Sequence, residues 1–391
     1  MKKLIVSSVA VAFLTLSCME EKLTMLDPNF GRFETQENKE KLKERLTIYN
    51  TPVYFQGKSA AASFSHVATV APPTVNGKTV GATSVSKNGN YVYVTYNTTG
   101  ADYGGSIDVI DVSDPTAPVL VSQLIALDTD FHDLDVENKY LFYGGQRALA
   151  SSGYPDSTGH AGAVAGKFEL SGALLTTKNQ EQPYKGFAIN SIARHAGEFH
   201  MVSGNRNGGI ITAKWGFDLD NAPDSQVDFD GAQNLANEGS EMVVLQGEPG
   251  QQTILHYYDY QTTQPGNAAK FPLPYEITDL DRNGMDIYQG KAYIAMGEDG
   301  LIRVDLQNGN HEQFYYSTTD VAKGVAVSND FVFVANGNDG LVIADRKNSK
   351  LPTIGAYDIN EDANDVVYDP SGWVFIAQGN GGLRILKEEA L

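Results

Sequence analysis

The chain has 391 residues, 41% of them apolar, and a formal net charge of −19 from 48 acidic and 29 basic side chains. This balance excludes a nucleic-acid surface, because neutralising phosphates requires clustered Lys and Arg. It suits a protein that self-repulsion keeps soluble, or one that attracts cations.

The N-terminus has the pattern of a targeting segment. Lys2 and Lys3 give it a positive start, residues 4–16 are mostly apolar but too short to span a bilayer, and a small residue precedes Cys18. The pattern resembles a bacterial lipoprotein signal, which implies removal of residues 1–17 and lipidation of Cys18. A plain secretory peptide is the alternative.

Cys18 is the single cysteine of the chain, so an intramolecular disulfide is excluded and acylation explains the thiol better than catalysis does. The following Met19-Glu20-Glu21-Lys22 is similar to the surface-export signal of lipoproteins in the Bacteroidota. The resemblance implies an outer-membrane lipoprotein exposed at the cell surface, with the periplasmic face as the alternative. Removal of two lysines with the signal gives a mature charge of −19 − 2 = −21.

Residues 18–61 have the composition of a lipidated tether. Glu and Lys recur at helical spacing over residues 35–46, which predicts a short solvated helix within a flexible arm. The alternative is that Leu42 and Leu46, four residues apart, pack this helix against the following domain.

From residue 62 onward, short runs alternate apolar and polar side chains between turns rich in Gly, Asn and Asp, which is typical of β-strands and hairpins. One phrase occurs three times, at Ala295–Val304, Ala335–Ala344 and Ala377–Leu386. Gly300, Gly340 and Gly382 within it are 40 and 42 residues apart. Such a period indicates blades of a propeller, so residues 62–391 are expected to form one large domain.

Aligning outward from these hairpins gives seven units, with six or eight as alternatives. Their innermost strands are predicted at Ala82–Val85, Asp133–Val136, Ser191–Arg194, Glu241–Val244, Gly284–Ile287, Gly324–Val327 and Asp365–Tyr368. The last unit has room for three strands, and His66–Val70 precedes the first unit. The sequence therefore predicts an all-β, seven-bladed β-propeller of four-stranded antiparallel blades whose ring is closed by an N-terminal strand.

The segment Ser106–Val121, with an apolar strand that ends in Asp and a following Ser-Asp-Pro turn, resembles the LVIVD repeat. Leu301–Asp305 and Leu341–Asp345 match the strand and its Asp but lack the turn. The resemblance implies a β-propeller, and it implies no particular activity.

The inner strands of a propeller line its central channel, so residues near their first ends are expected to surround one channel mouth. These binding candidates are His132, Asp133, Asn190, Glu241, Asn283, Lys323, Asn364 and Asp365, with Ser191 and Asp286 close to them. His132, Asp133, Glu241 and Asp365 are the candidate metal ligands, because carboxylate oxygens from several blades suit Ca²⁺ or Mg²⁺. A solvated channel with no specific ion is the alternative.

Asp128-Thr129-Asp130-Phe131-His132-Asp133 is the densest stretch of ligand-forming residues. Alternation along a strand would place Asp128, Asp130 and His132 on one face. A metal site there is one interpretation, and a polar strand start with turn-forming Asp residues is the other.

The chain contains no spaced catalytic or metal-binding motif, so no catalytic residue is predicted. We expect a non-catalytic binding or scaffold module for a protein or glycan partner, held at the membrane through its lipid. The alternative is a metal-assisted hydrolase or lactonase in which His132, Asp133, Glu241, Asn283 and Asp365 converge on one ion. A structural spacer in a surface assembly is a third hypothesis.

Overall fold

The computed structural model describes residues 31–53, 63–100, 102–114, 116–148, 162–195, 198–204, 209–214, 225–228, 230–259, 261–263, 265–277, 283–316 and 320–389, with the backbone alone at 211–214, 225 and 265. The predicted signal peptide and Cys18 lie outside these residues. Among the described helices, none has the length and apolar character needed to cross a membrane.

The described chain begins with a short mixed segment. Its elements are β1 (Phe33–Gln36), α1 (Lys39–Lys43), β2 (Leu46–Pro52), β3 (Phe64–Val70) and a small hairpin of β4 (Thr74–Val75) and β5 (Lys78–Thr79).

Seven blades follow, each an antiparallel sheet, and in blades 1 to 6 the four blade strands run in sequence order from the channel outward. Blade 1 contains β6 (Gly81–Asn88), β7 (Tyr91–Asn97), β8 (Gly105–Asp111) and β9 (Val119–Ala126). Blade 2 contains β10 (Thr129–Glu137), β11 (Tyr140–Arg147), β12 (Ala163–Ser171) and β13 (Leu174–Pro183). Blade 3 contains β14 (Ile189–His195), β15 (Glu198–Ser203), β16 (Gly209–Lys214) and β17 (Ser225–Asp228). Blade 4 contains β18 (Ala232–Glu238), β19 (Glu241–Gln246), β20 (Thr253–Asp259) and β21 (Ala269–Leu273), with a 3-10 turn at Pro265–Asn267.

The last three blades contain the recurring glycine phrase. Blade 5 contains β22 (Met285–Tyr288), β23 (Lys291–Ala295), β24 (Leu301–Asp305) and β25 (His311–Phe314). Blade 6 contains β26 (Gly324–Val327), β27 (Phe331–Ala335), β28 (Leu341–Asp345) and β29 (Thr353–Tyr357). Blade 7 contains β30 (Asp365–Asp369), β31 (Trp373–Ala377) and β32 (Leu383–Glu388).

The fourth strand of blade 7 is β3, from the N-terminal side of the chain. β3 pairs with β32 in antiparallel register, with Val70 opposite Leu383 and Phe64 opposite Glu388. The seven-bladed fold and its closure by an N-terminal strand are thus confirmed. Closure of this kind ties the two ends of the propeller together, because a strand from the N-terminal side completes the sheet of the last blade.

The prediction of a tether up to residue 61 is wrong for residues 33–52. β1 adds a fifth strand to blade 1 by pairing with β9, and β2 adds a fifth strand to blade 7 by pairing with β3. Between them, the Asn38 side chain caps α1 by accepting hydrogen bonds from two backbone N–H groups. Leu42 is buried in the core between the two blades, as the alternative interpretation of its spacing required.

The core lies between the faces of neighbouring blades. Phe333 of blade 6 is fully buried and packs edge-on against Phe64, with ring centroids 6.2 Å apart. Phe333 also stacks on Tyr368 of blade 7, with ring centroids 5.0 Å apart. Each such aromatic side chain contributes about 1.5–3 kcal/mol through burial, so the blades stabilise one another rather than folding independently.

The recurring glycine phrase has a structural cause at the blade junctions. Gly379, with a φ of 48°, exchanges two backbone hydrogen bonds with Ala82 at the start of blade 1. Equivalent bridges join Gly297 to Ala322 and Gly337 to Ala363. Each of these three repeats therefore carries the hairpin that fastens it to the next blade, which explains why the phrase recurs in blades 5, 6 and 7.

Candidate functional site: the central channel

A cavity of about 340 Å³ lies on the axis of the ring. The inner strands of all seven blades contribute to its walls. Its polar lining side chains are Ser84, Asp133, Ser191, Asn234, Asp286, Asp365 and Tyr368.

Hydrogen bonds to Asp133 join three blades. Its Oδ1 accepts from the Ser84 hydroxyl at 2.9 Å and from the Leu134 backbone N–H at 2.9 Å. Its Oδ2 accepts from the Ser191 hydroxyl at 3.0 Å and from the Ile192 backbone N–H at 2.9 Å. Both oxygens of Asp133 therefore contact donors of the propeller itself.

The hydroxyl of Ser84 lies between two carboxylates. Asp133 Oδ1 is 2.9 Å from Ser84 Oγ, and Asp365 Oδ2 is 3.1 Å from the same atom. Because a serine hydroxyl carries one proton, it donates to one of these oxygens at a time. The contact links blades 7, 1 and 2 at one level of the channel.

One hydrogen bond recurs at three blade junctions. An aspartate on one inner strand accepts the backbone N–H of the next inner strand: Asp133 from Ile192 at 2.9 Å, Asp286 from Val327 at 2.7 Å, and Asp365 from Val85 at 3.2 Å. Hydrogen bonds to charged acceptors are among the stronger ones in proteins, and here they bind backbone that the inner edge would otherwise leave unpaired. The channel aspartates therefore hold neighbouring blades together.

Asp286 has an unusual protonation equilibrium. Burial between the inner strands raises its pKa to about 7, against the hydrogen bonds from Val327 and Ile287 that favour the ionised form. The negative charge of Glu238 acts in the same direction as burial. Asp286 thus changes charge near neutral pH while it faces the cavity.

Three polar residues at the start of an inner strand, or directly before it, form contacts across the blade junctions. Asn190 donates to the Ala232 carbonyl at 3.2 Å, and Asn364 donates to the Ala82 carbonyl at 3.0 Å. Lys323 donates to both carboxylate oxygens of Asp362, at 2.6 and 2.7 Å. The described contacts of these three predicted channel-mouth residues are to other parts of the propeller.

His132 and Asn283 also lie at the first ends of inner strands. His132 is half-buried at a register shift between Phe131 and Asp133, where β10 departs from regular pairing with β11. Asn283 is fully buried just before β22 and has a φ of 52°.

The assignment of Glu241 to an inner strand is wrong. The inner strand of blade 4 is β18, and Glu241 begins β19 after the hairpin, at the end of the blade away from the predicted mouth. Its Oε1 accepts a hydrogen bond from the Tyr257 hydroxyl at 2.9 Å. Burial and this bond together raise the pKa of Tyr257 to about 12.

The stretch Asp128–Asp133 is engaged in contacts within the propeller. Asp128 forms ion pairs with Arg32 at 3.1 Å and Arg147 at 2.9 Å. Asp130 accepts hydrogen bonds from the Thr98 hydroxyl and the Gly104 backbone N–H, both at 3.1 Å. Burial raises the pKa of Asp130 to about 6.

Over the part of the chain that the structure describes, no three His, Cys, Asp or Glu side chains are placed to hold one metal ion. His132, Asp133, Glu241 and Asp365 accordingly do not form a common coordination shell there. The chemistry that the channel geometry does support is hydrogen bonding by carboxylates, hydroxyls and amides around a small polar cavity.

Sequence reasoning did not select Ser84 and Asn234 as site residues. Both line the cavity. The alternation of side chains along the strands could have identified Ser84, because it occupies the same position on its inner strand as Asp133 and Asp365 do on theirs. Their small neutral side chains gave no chemical reason to choose them.

Comparison with known families agrees with the repeat geometry. The LVIVD repeat model matches residues 81–125 and 321–349. The first range coincides with the four strands of blade 1, and the second covers the first three strands of blade 6. The chain carries LVIVD repeats.

Two solved structures resemble this LVIVD-repeat propeller. The WD40 β-propeller domain of Doa1 has a TM-score of 0.55 at 10% identity, over 82% of this chain and 97% of that one. The computationally designed Ika8 protein has a TM-score of 0.49 at 9% identity, over 88% of this chain and 98% of that one. At such low identity the Doa1 match supports the fold alone. Among curated proteins, none matches the chain.

Proposed function

We propose that this LVIVD-repeat protein is a non-catalytic binding module: an exported propeller, held at the outer membrane through Cys18, that presents a face to a protein or glycan partner. The observation that favours this function over channel chemistry is the use of Asp133, Asp286 and Asp365 to join inner strands. The polarity that suggested chemistry in the sequence has a structural explanation in ring assembly.

Anchoring rests on the sequence pattern before Cys18 and on the single cysteine. The test is membrane fractionation of the wild type and of Cys18→Ser after metabolic labelling with an alkyne fatty acid. We expect label and membrane retention in the wild type, and loss of both in the variant. A wild-type protein without label contradicts the anchor.

The binding role is tested by cross-linking in intact cells, followed by reconstitution of the purified pair. We expect a saturable complex with defined stoichiometry. The rival hydrolase or lactonase function predicts instead that ester or lactone hydrolysis depends on added Ca²⁺ or Mg²⁺ and falls in Asp133→Asn. Glu241→Gln is the control, because Glu241 lies away from the channel carboxylates, and hydrolysis should survive it. This pattern of hydrolysis would contradict the binding role.

A further inference from the structure

Residues 31–53, here called the strap, cross the junction between blades 7 and 1 on the outside of the ring. β1 pairs four residues with the outer strand of blade 1, and β2 pairs with β3 of blade 7. Between them Leu42 is buried in the apolar core shared by the two blades. The strap therefore contacts both sides of the junction at which the ring is closed.

The strap supplies two arginines to carboxylates of the propeller, one before β1 and one between α1 and β2. Arg32 pairs with Asp128 at 3.1 Å and with Glu181 at 3.2 Å, and it is 9% exposed. Arg45 forms a two-point pair with the fully buried Asp108 of blade 1. Arg45 also donates twice to the Ala71 carbonyl, at 2.9 and 2.7 Å, on the side of blade 7.

These contacts make strap binding depend on charge. Removing one member of a buried ion pair leaves the other charged and desolvated, which is strongly unfavourable. Asp108 has no exposed surface while the strap with Arg45 is bound over it. A strap without Arg45 should therefore bind this surface much more weakly, even though its strand pairing is unchanged.

We propose that the blade 7–blade 1 junction is a recognition site for the strap, which binds it as an internal peptide ligand selected by Arg45 and which stays bound when the chain is cut between Val53 and Ser63. The occupant is this segment of the same chain, and the recognised features are an extended strand, one buried leucine and one guanidinium. If the anchor at Cys18 is present, the strap also links the propeller to it without a continuous backbone.

The test uses the full chain with a protease recognition sequence inserted between Val53 and Ser63. After cleavage of the folded protein, size-exclusion chromatography with mass spectrometry shows whether the strap remains with the propeller. Labelled peptides of residues 31–53 are then added to displace it. Because only the peptides carry substitutions, no variant protein has to fold.

We expect the strap to co-elute after cleavage, and the wild-type peptide to exchange with it. Lys43→Gln is the matched control, because Lys43 is an exposed cation two residues from Arg45. It should compete like the wild type, whereas Arg45→Gln should need at least about tenfold more peptide. Loss of the strap upon cleavage, failure of every peptide to exchange, or equal competition by both variants would overturn the proposal. None of these outcomes involves a membrane or a partner, so they leave the proposed function untouched.

Discussion

Asp365 Oδ2 lies 3.2 Å from the backbone nitrogen of Val85, which donates a hydrogen bond to it across the junction between the last and the first blade. The two residues are 280 positions apart in the chain. The same geometry joins Asp133 to Ile192 and Asp286 to Val327, so the junction that closes the ring uses the contact that builds the ring elsewhere.

Substitution of Asp365 is expected to destabilise the ring. Asp365→Ala removes the acceptor of the Val85 N–H and one neighbour of the Ser84 hydroxyl. A buried donor left unpaired costs about 1–3 kcal/mol of unfolding free energy. Urea unfolding measures the loss. Glu34→Ala, on an exposed position of β1, is the control and should change the value by less than about 0.5 kcal/mol. Equal losses in both variants would contradict the account.

The repeated hairpin glycine should resist substitution for a steric reason. A Cβ at Gly340 would lie 2.3 Å from the Tyr357 carbonyl oxygen, and its φ is 79°. Gly172 has a similar φ of 67° but open space around it. Its substitution therefore measures the cost of the backbone strain alone, without a steric clash. We expect Gly172→Ala to cost about 1 kcal/mol and Gly340→Ala clearly more, by chemical denaturation. If Gly340→Ala lost no more unfolding free energy than Gly172→Ala, the strand that contains Tyr357 would have moved to avoid the clash, and the steric explanation would be wrong.

Asp286 gives a pH dependence of defined sign. Its pKa rises from 3.8 in the unfolded chain to about 7 in the folded one, so between these values the folded state binds more protons and stability falls as pH rises. Asp286→Asn carries no charge at any pH. Relative to the wild type, it should therefore gain stability between pH 5 and pH 8. Parallel stability profiles for the two proteins over this range would exclude the proposed burial of the charge.

The histidines act with the opposite sign, which is why the comparison with Asp286→Asn is needed. Burial lowers the pKa of His66, His200 and His256 to about 4. Between pH 4 and 6.5 the unfolded state binds more protons at these sites, so they make stability rise with pH. They are unchanged in Asp286→Asn and cancel in the difference between the two proteins.

The sequence predicted the features of the fold that depend on local patterns. The three glycine phrases identified the blades, and the unpaired run His66–Val70 before the first blade identified the closing strand. In blade 4 the predicted inner strand was the second strand of the blade rather than the first. Met242–Leu245 is a stronger apolar run than the true inner strand Ala232–Glu238, which contains several polar residues.

The strap and the role of the channel side chains lay beyond local patterns. Arg45 meets Asp108 across 63 residues, and Arg32 meets Glu181 across 149, so no nearby spacing marks either pair. The sequence does not distinguish an aspartate that binds an ion from one that accepts a backbone N–H. The N–H donor belongs to another blade, so it is distant in the sequence. The residue types predicted that the channel is polar. To predict which groups the polar side chains contact, one must know the register of adjacent inner strands.

Thermal unfolding of the wild type and of Asp133→Asn, each in EDTA and in excess Ca²⁺, tests most directly whether the channel carboxylates assemble the ring. The account predicts that Asp133→Asn lowers the unfolding midpoint by the same amount in both solutions, because its donors are Ser84, Ser191 and backbone N–H groups. A Ca²⁺-dependent rise of the wild-type midpoint that Asp133→Asn abolishes would contradict it and establish an ion site in the channel.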